Sequence, residues 1–564
     1  MDRHAFCRVE SFLALTLVMV LGACSPSEDT ASSSRVDPAP ATAAEETTSG
    51  EPGVIAPEPA PSSIYNLERV QPEPETVLVP PSAEDTGVDP AGFGLPDVRE
   101  RARRLAAAPY EPSPALPEDA RGLNYDQYRR ILPAIDDMGW PQDAGPVRAL
   151  FDPRGYLFDH EVRINLVDGD TVTPRAYSTT AFDFKELPLS DKTKETLGFA
   201  GLRLLAPINQ AGKFDEVLSF KGASFFRALG AGNVYGASAR GLGIGTASAD
   251  GEEFPAFREF WIVRPRSPSR AVTIYALMDS ASVTGAFAFN ISPGPRTQIE
   301  VEATFYPRKD IQGVGLSPLT SMYYFSPHDV TKQGDDYRPA VHDSEGLAIH
   351  MANGEWVWRP LQNPADLEVS VLTGTQPKGF GLVQRHRQFA DYSDVEAGYD
   401  QRPDVWVEPH GDWGQGQLML VEIPTVNEYN DNIAVFWRPR EGWRAGGANT
   451  ISYTMGWGLK PGVMPEVVAV SETRAGRKPG EKTQMFVLDY EGAPEKVFEN
   501  AELEITTSAG KIVNPVLRRH PSGDAYRLSF ELQPEGASMA ELRAVLVRGG
   551  RPLTETWLYR WSAK

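Results

Sequence analysis

Two aspartates stand out because each lies in a short polar segment surrounded by tryptophan- and tyrosine-rich sequence. Asp431 belongs to Pro424-Thr-Val-Asn-Glu-Tyr-Asn-Asp-Asn-Ile-Ala-Val-Phe-Trp437, whose apolar end predicts a strand. Asp343 belongs to Tyr337-Arg-Pro-Ala-Val-His-Asp-Ser-Glu-Gly-Leu347. Hydrolysis of a glycosidic bond needs an acid that protonates the leaving oxygen and a base or nucleophile across the anomeric carbon. The pair therefore indicates chemistry on a sugar.

The two aspartates lie far apart in the sequence, so spacing alone does not bring them together. A sheet that returns the later strand beside the earlier segment would do so. Taken singly, each aspartate is better explained as a turn residue whose side chain bonds local backbone, because Asp and Asn favour such turns. That alternative stays open for Asp343 and for Asp431, and their pairing is what favours a site.

Neighbouring aromatic and basic residues supply candidate substrate contacts. We predict substrate binding by Tyr399, Trp413, Trp356 and Arg385. Indole and phenol faces stack on the apolar faces of pyranose rings, and arginine bonds their hydroxyls. An aromatic residue in an alternating strand more often belongs to the core, so turn-like sequence favours Trp413 and Tyr399 in particular.

Other chemistries find little support in the sequence. The eight histidines show no metal-ligand spacing, and we predict neither a metal nor any other cofactor. The glycine-rich stretch at 230–245 lacks the strand, helix and downstream acid of a dinucleotide fold, so it predicts tight turns. With 55 basic and 76 acidic residues the formal charge is −21, which argues against nucleic acid as a partner. A neutral polymer as partner is compatible with this negative charge.

Most of the chain is predicted to be β-structure, and these strands must position the candidate residues. A short helix is expected near its start, with Asp97 as a cap and Val98, Ala102 and Leu105 on one face. From about 156 to 453, short apolar strands alternate with Gly, Pro, Asn and Asp turns, which favours a large β-sandwich. After a Gly/Pro-rich segment at 457–465, further strands indicate an immunoglobulin-like sandwich that lacks the usual pair of cysteines. We therefore predict two folded domains, 93–460 and 461–564.

The N-terminal region predicts export and attachment to a membrane. Basic residues precede an apolar run at 12–21, which is about half the ~20 residues of a spanning helix, and Leu21-Gly-Ala-Cys24 resembles a bacterial lipobox. We predict a signal peptide at 1–24, lipidation at Cys24 and a disordered linker at 25–92 that is rich in Pro, Ala, Ser and Glu. A plain secretory signal that happens to contain a cysteine stays open.

Ordered motifs over most of the chain resemble the bacterial periplasmic glucans biosynthesis proteins, the OpgG and OpgD family, also called MdoG. The likeness runs from about 93 to 561. Its markers are Gly-Leu-Asn-Tyr-Asp-Gln-Tyr128, Ser238-Ala-Arg-Gly-Leu242, Gly251-Glu-Glu-Phe-Pro-Ala-Phe-Arg-Glu-Phe-Trp261, Ser317-Pro-Leu-Thr-Ser-Met322, Tyr337-Arg-Pro, His342-Asp-Ser-Glu-Gly346, Gly379-Phe-Gly-Leu382 and Asn430-Asp-Asn-Ile433.

The resemblance implies an all-β fold, a galactose-mutarotase-like sandwich followed by an immunoglobulin-like one, in the periplasm. It also implies a role in making osmoregulated glucans with a β-1,2-linked glucose backbone. Members are similar to inverting endo-β-1,2-glucanases, in which Asp431 matches the general acid and Asp343 the base that acts through waters. Tyr399, in Tyr399-Asp-Gln-Arg-Pro403, matches a substrate-contacting tyrosine. His386 and Gln388 depart from the family pattern.

These expectations leave two functions open besides a structural envelope lipoprotein. The first is hydrolysis of β-glucan polysaccharide by the paired aspartates. The alternative is a non-catalytic protein that binds nascent glucan or contacts an inner-membrane glucan synthase, because folds of this class also hold sugars without cutting them. The retained pair of aspartates favours the enzyme.

Replacement of Cys24 by alanine tests the predicted anchor. If Cys24 carries the lipid, the variant lacks the acyl anchor and moves from the membrane fraction to the soluble fraction after cell lysis. The measurement is immunoblotting of both fractions, with Cys7→Ala as the matched control that stays in the membrane. Continued membrane association of the Cys24 variant would contradict lipidation.

Overall fold

The computed structural model describes residues 92–563 except 135–145, 266–269, 330–333, 461, 478–479, 481–482, 495, 522 and 524. The predicted signal peptide, Cys24 and nearly all of the predicted linker lie outside the described residues. Within the described part, no helix has the length and apolar character that crossing a bilayer requires.

Strands dominate the described chain, and the helices are short. The helices are α1 (Leu95–Ala106), α2 (Glu118–Arg121), α3 (Tyr125–Tyr128), α4 (Asp191–Thr196) and α5 (Phe389–Tyr392), with 3-10 turns at Thr179–Ala181 and Tyr399–Gln401. The strands of the first part are β1 (Leu132–Pro133), β2 (Arg148–Pro153), β3 (Arg163–Asp168), β4 (Thr171–Arg175), β5 (Phe182–Asp183), β6 (Phe199–Gln210), β7 (Lys213–Lys221), β8 (Phe225–Ala228), β9 (Ser238–Arg240), β10 (Gly243–Ile244), β11 (Ala256–Val263), β12 (Val272–Asp279), β13 (Val283–Ser292), β14 (Arg296–Pro307), β15 (Val314–Ser321), β16 (Tyr323–Phe325), β17 (Val341–His342), β18 (Gly346–His350), β19 (Trp356–Pro360), β20 (Glu368–Thr373), β21 (Gly379–Val383), β22 (Asp404–His410), β23 (Gly416–Glu422), β24 (Ile433–Pro439) and β25 (Asn449–Gly458). The last part contains β26 (Glu472–Arg477), β27 (Gln484–Glu491), β28 (Glu502–Thr507), β29 (Lys511–Arg519), β30 (Ala525–Gln533), β31 (Met539–Arg548), β32 (Arg551–Pro552) and β33 (Thr556–Ser562).

Two large sheets pack face to face and enclose the main core. One runs in the order β2-β6-β7-β8-β9-β15-β24-β23-β20, and the other includes β19-β18-β21-β22-β25-β14-β13-β12-β11-β3-β4. Buried side chains such as Leu204 and Leu319 from the first sheet share a cluster with Phe287 and Tyr453 from the second. The predicted all-β sandwich is confirmed.

Strand β13 illustrates why these segments form a sandwich. Phe287 and Phe289 point into the main core, while the alternate residues Ala286 and Ala288 face α1. Small alanines let the helix approach the sheet, so β13 buries both faces. The predicted N-terminal helix is confirmed, but Asp97 lies within its first turn, where its side chain accepts a hydrogen bond from the Gly94 amide at 2.9 Å.

The C-terminal strands form a second, smaller sandwich that is joined to the first. A sheet of β26, β27, β30 and β29 faces one of β28, β31 and β33. Strand β33 also pairs in parallel with β19, with Trp557 opposite Trp358, so one sheet continues through both parts. Trp356, Trp358 and Trp406 of the large sandwich belong to the core of the smaller one. The predicted division at 460 and 461 stays a prediction.

Charged groups between β21 and α5 also tie the two sandwiches together. Arg385 donates to both carboxylate oxygens of Glu555 at 2.8 and 2.7 Å, and its guanidinium lies 3.6 Å from the ring centroid of Trp358. His386 Nδ1 lies 3.0 Å from Glu345 Oε2, and its Nε2 lies 3.5 Å from Glu472 Oε2. These carboxylates raise the pKa of His386 to about 11, the nearby Glu345 charge being the largest cause.

This raised pKa gives the junction a defined pH dependence. Because the folded pKa of His386 exceeds its unfolded value of about 6.5, its stabilising effect is complete below about pH 6.5 and is lost as the pH rises towards 11. His386→Gln should therefore lower the free energy of unfolding more at pH 6 than at pH 9, as measured by urea denaturation. His410→Gln, at an exposed histidine, is the matched control. A destabilisation that is equal at both pH values would contradict the ion-pair account.

Candidate functional site

The site is organised around the end of β15 and the residues that follow it. On one side, β15 pairs with β24, with Ser321 opposite Ile433. On the other side, Tyr323 in β16 pairs with His342 in β17. The segment 321–323 therefore borders the beginning of β24 and the end of β17, the two places where the candidate aspartates lie.

Asp343 is fixed to this segment through its backbone and through its neighbour. Its amide donates to the Met322 carbonyl at 2.8 Å, and Ser321 Oγ donates to Ser344 Oγ at 2.8 Å. The Asp343 side chain is 10% exposed, and its Oδ1 lies 3.5 Å from Arg402 Nη1. The carboxylate is thus largely enclosed and has a cation beside it.

Asp431 is held from the same segment. The amide of the following residue, Asn432, donates to the Ser321 carbonyl at 3.1 Å, and its side-chain oxygen accepts from the Tyr323 amide at 2.8 Å. Thr320 Oγ1 lies 3.5 Å from Asp431 Oδ2, and Arg227 Nη2 lies 3.9 Å from the same oxygen. The Asp431 side chain is 12% exposed.

The fold therefore brings Asp343 and Asp431 near enough for the charge of one to affect the pKa of the other. Burial raises the pKa of Asp343, the Arg402 charge opposes that rise, and the Asp431 carboxylate adds to it. Like charges disfavour each other's ionised form across a low-dielectric crevice. Asp343 is thus a carboxylate whose affinity for a proton is raised above that of a solvated aspartate.

Tyr399 lies beside the pair. Its hydroxyl donates to Glu428 Oε2 at 2.9 Å, and the Arg402 guanidinium lies 5.2 Å from its ring centroid. Burial raises the pKa of Tyr399, and the Asp343 charge contributes to the rise. The tyrosine is therefore a neutral hydrogen-bonding group between two carboxylates.

A buried hydrogen-bond network of Gln384 and His342 supports the backbone beside Asp343 and that of Tyr399. Gln384 Nε2 donates to the carbonyls of Tyr399 at 2.8 Å and His342 at 3.3 Å, so its oxygen is left to accept from His342 Nδ1 at 2.8 Å. Burial lowers the pKa of His342 to about 4, so the ring is neutral at pH 7. This neutral network holds the backbone of His342, which precedes Asp343, to the backbone of Tyr399.

Trp413 and Trp356 were predicted to bind substrate, and the structure places both in cores. Trp413 is buried against Tyr453 in the main core, and its indole N–H donates to the Ser452 carbonyl at 3.1 Å. Trp356 stacks between His350 and Trp406 in the second core. Their contacts are thus with core residues, and a role in substrate binding stays a prediction for both.

Arg385 and the two residues that depart from the family pattern have contacts at the junction. Arg385 pairs with Glu555 of the smaller sandwich, so its guanidinium is engaged there, and its predicted substrate contact stays a prediction. His386 bridges Glu345 and Glu472. Gln388 precedes α5 as its N-cap.

Several residues of the cluster were not selected from the sequence. Arg402 stood within the quoted Tyr399-Asp-Gln-Arg-Pro403 motif, and Glu428 within the segment that contains Asp431, so both had a local signal. Arg227 and Thr320 lie in strands, and only the pairing of β8, β9, β15 and β24 brings them to Asp431. Across the described ranges, no three His, Cys, Asp or Glu side chains are grouped as metal ligands.

Fold and site together define an all-β sandwich protein whose paired acids, arginines and tyrosine converge at one strand end. The chain belongs to the family described as "Periplasmic glucan biosynthesis protein, MdoG", whose model matches residues 93–561. This confirms the resemblance.

Similar proteins carry the name "Glucans biosynthesis protein G". The protein of Vibrio cholerae serotype O1 (strain ATCC 39541 / Classical Ogawa 395 / O395) is 44% identical over 467 residues, covering 82% of this chain and 85% of its own. That of Shewanella sp. (strain W3-18-1) is 44% identical over 471 residues, with the same coverage. That of Shewanella baltica (strain OS195) is 42% identical over 477 residues, covering 83% and 87%.

Proposed function

We propose that the protein acts in periplasmic glucan biosynthesis as an inverting glycoside hydrolase that cleaves β-1,2-linked glucan internally. Asp431 is the general acid and Asp343 the general base. The observation that carries the proposal is that two aspartates distant in sequence are held by one strand end, near enough for the charge of one to raise the pKa of the other. The family and the names of its relatives supply the glucan and the compartment.

The proposed reaction assigns one proton transfer to each acid. Asp431 gives its proton to the glycosidic oxygen as the bond to the anomeric carbon breaks. Water attacks that carbon from the opposite face, and Asp343 receives the proton that the water releases, through intervening water. The two protons and the bond electrons then balance, and the anomeric configuration is inverted.

The electrostatics of Asp343 suit the role of base. A carboxylate whose pKa is raised by burial accepts a proton more readily than a solvated one, provided it is ionised at the working pH. Arg402 favours that ionised form. Tyr399, neutral and hydrogen-bonded to Glu428, supplies a polar group next to the base.

Substitution of either aspartate tests the assignment. Asp431→Asn and Asp343→Asn should each lower kcat on linear β-1,2-glucan by about 10²–10⁴-fold, since each removes one proton-transfer step. The measurements are new reducing ends and the anomeric form of the first product, followed by NMR. Asp412→Asn, at an exposed loop aspartate, is the matched control that keeps activity.

Full activity of the Asp431 variant would reject it as the acid. A wild-type protein that binds glucan without releasing reducing ends would reject the hydrolase and leave the second candidate, a glucan-binding or synthase-partner protein. That candidate is favoured by the relatives' printed name, which describes biosynthesis.

Arg402 should set the acid limb of the pH profile. Its charge lowers the pKa of Asp343, so Arg402→Gln raises that pKa and moves the acid limb of kcat/KM to higher pH. Arg402→Lys keeps the charge and should leave the limb closer to that of the wild type. An unchanged or lower-pH limb in the glutamine variant, with the fold verified by circular dichroism, would contradict the role of Asp343.

We also propose that the protein is attached to a membrane through Cys24. A lipid on that residue, followed by the linker at 25–92, would tether the sandwiches on the periplasmic side.

A further inference from the structure

Several large apolar side chains stand exposed on loops beside the candidate site. Tyr337 is 77% exposed, Val395 is 83% exposed and Tyr429 is 61% exposed. Exposed aromatic side chains that cluster beside a site are more informative than isolated ones on the surface. Each of the three is bonded along the chain to a residue whose side chain is held in place.

One arginine holds the three loops together. Arg338 Nη1 lies 2.8 Å from Asp394 Oδ2 and 2.7 Å from Glu428 Oε2, and its Nη2 lies 2.7 Å from Asp336 Oδ2. Tyr337 precedes Arg338, Val395 follows Asp394 and Tyr429 follows Glu428. A planar guanidinium with several donors fixes its partners' relative positions. The backbone positions of Tyr337, Val395 and Tyr429 are therefore gathered around one ion cluster.

The same cluster adjoins the candidate catalytic groups. Glu428, which contacts Arg338, also accepts the hydrogen bond from the Tyr399 hydroxyl. Tyr429 is two residues before Asp431, so their Cα atoms are within about 7 Å. The loops that carry the exposed side chains are thus linked, through Arg338 and Glu428, to the groups that would act on the bond.

We propose that Tyr337, Val395 and Tyr429 form a platform on which sugar rings of a β-linked glucan chain lie, outside the glycosidic bond that is cleaved. This platform rests on the proposed function, because it takes the same polymer as its ligand. Tyrosine rings stack on the apolar faces of pyranose rings, and the partly exposed carboxylates of Asp336 and Glu428 between them accept hydrogen bonds from sugar hydroxyls.

A sugar chain suits this surface better than a protein partner does. Aromatic side chains bury about 150–250 Å² each, so three side chains offer less than the ~800 Å² that a stable protein interface needs on each partner. The formal charge of −21 and the carboxylates around Arg338 disfavour an anionic ligand. A neutral polymer that continues from the candidate catalytic groups needs only a small apolar area and is not repelled by the negative charge.

The platform predicts a dependence on chain length. Long chains reach it while their cleaved bond lies between the aspartates, whereas short oligosaccharides that fill only the cleavage site do not. Loss of the rings should therefore weaken the binding of long chains and raise their KM, with kcat nearly unchanged.

Binding to the purified protein in the Asp431→Asn background isolates the platform from turnover. Calorimetric titration would use long linear β-1,2-glucan and short β-1,2-linked oligosaccharides. The double variant Tyr337→Ala with Tyr429→Ala should bind the long chain about 5- to 100-fold more weakly, the range of two aromatic stacking contacts, and the short chain as before. The corresponding double phenylalanine variant keeps both rings and should bind like the parent.

Tyr125→Ala is the matched control, because Tyr125 is also an exposed tyrosine, at 47%, but lies in α3 against Tyr156. Unchanged affinity of the double alanine variant for long chains would overturn the platform, as would an equal loss for long and short chains. A length-selective loss in a protein whose wild type never cleaves glucan would uphold the platform and reject the hydrolase. Normal cleavage by the wild type, together with unaltered binding by the double variant, would uphold the hydrolase and reject the platform.

Discussion

The site depends on one constraint, the hydrogen bonding of the three residues 321–323 at the end of β15. Their backbone groups are satisfied on one side by the Asn432 amide and side chain and on the other by the Asp343 amide. Buried backbone donors and acceptors are costly to leave unpaired, by about 1–3 kcal/mol each. The two loops that carry the aspartates are therefore fixed relative to each other by backbone hydrogen bonding, and the geometry of the acids follows from the sheet.

Charge balance is the second requirement of this arrangement. Two largely enclosed carboxylates, Asp343 and Asp431, and the partly exposed Glu428 each have an arginine near them. Enclosed carboxylates without cations would repel one another and take up protons. Arg402 opposes the rise that burial causes in the pKa of Asp343, so Asp343 has a raised pKa and a nearby cation together.

The smaller sandwich is linked to this cluster through Glu345, two residues after Asp343. Glu345 Oε2 accepts the Arg385 amide at 3.0 Å and faces the His386 imidazole, which in turn reaches Glu472 of the smaller sandwich. Parallel pairing of β33 with β19 extends the same contact along the sheet. The position of the C-terminal sandwich and that of the segment containing Asp343 are thus stabilised by shared interactions.

The sequence by itself determined the all-β class, the N-terminal helix, the family and the two aspartates as candidates, because alternation, turn residues and ordered motifs are local properties of the chain. The tertiary structure decided which residues meet. It placed Arg227 and Thr320 beside Asp431 through strand pairing, and it placed Trp356 and Trp413 in cores, since an aromatic strand residue looks the same whether it faces a partner sheet or a groove. Strand order and facing arise from contacts between distant segments, and no short window of sequence encodes them.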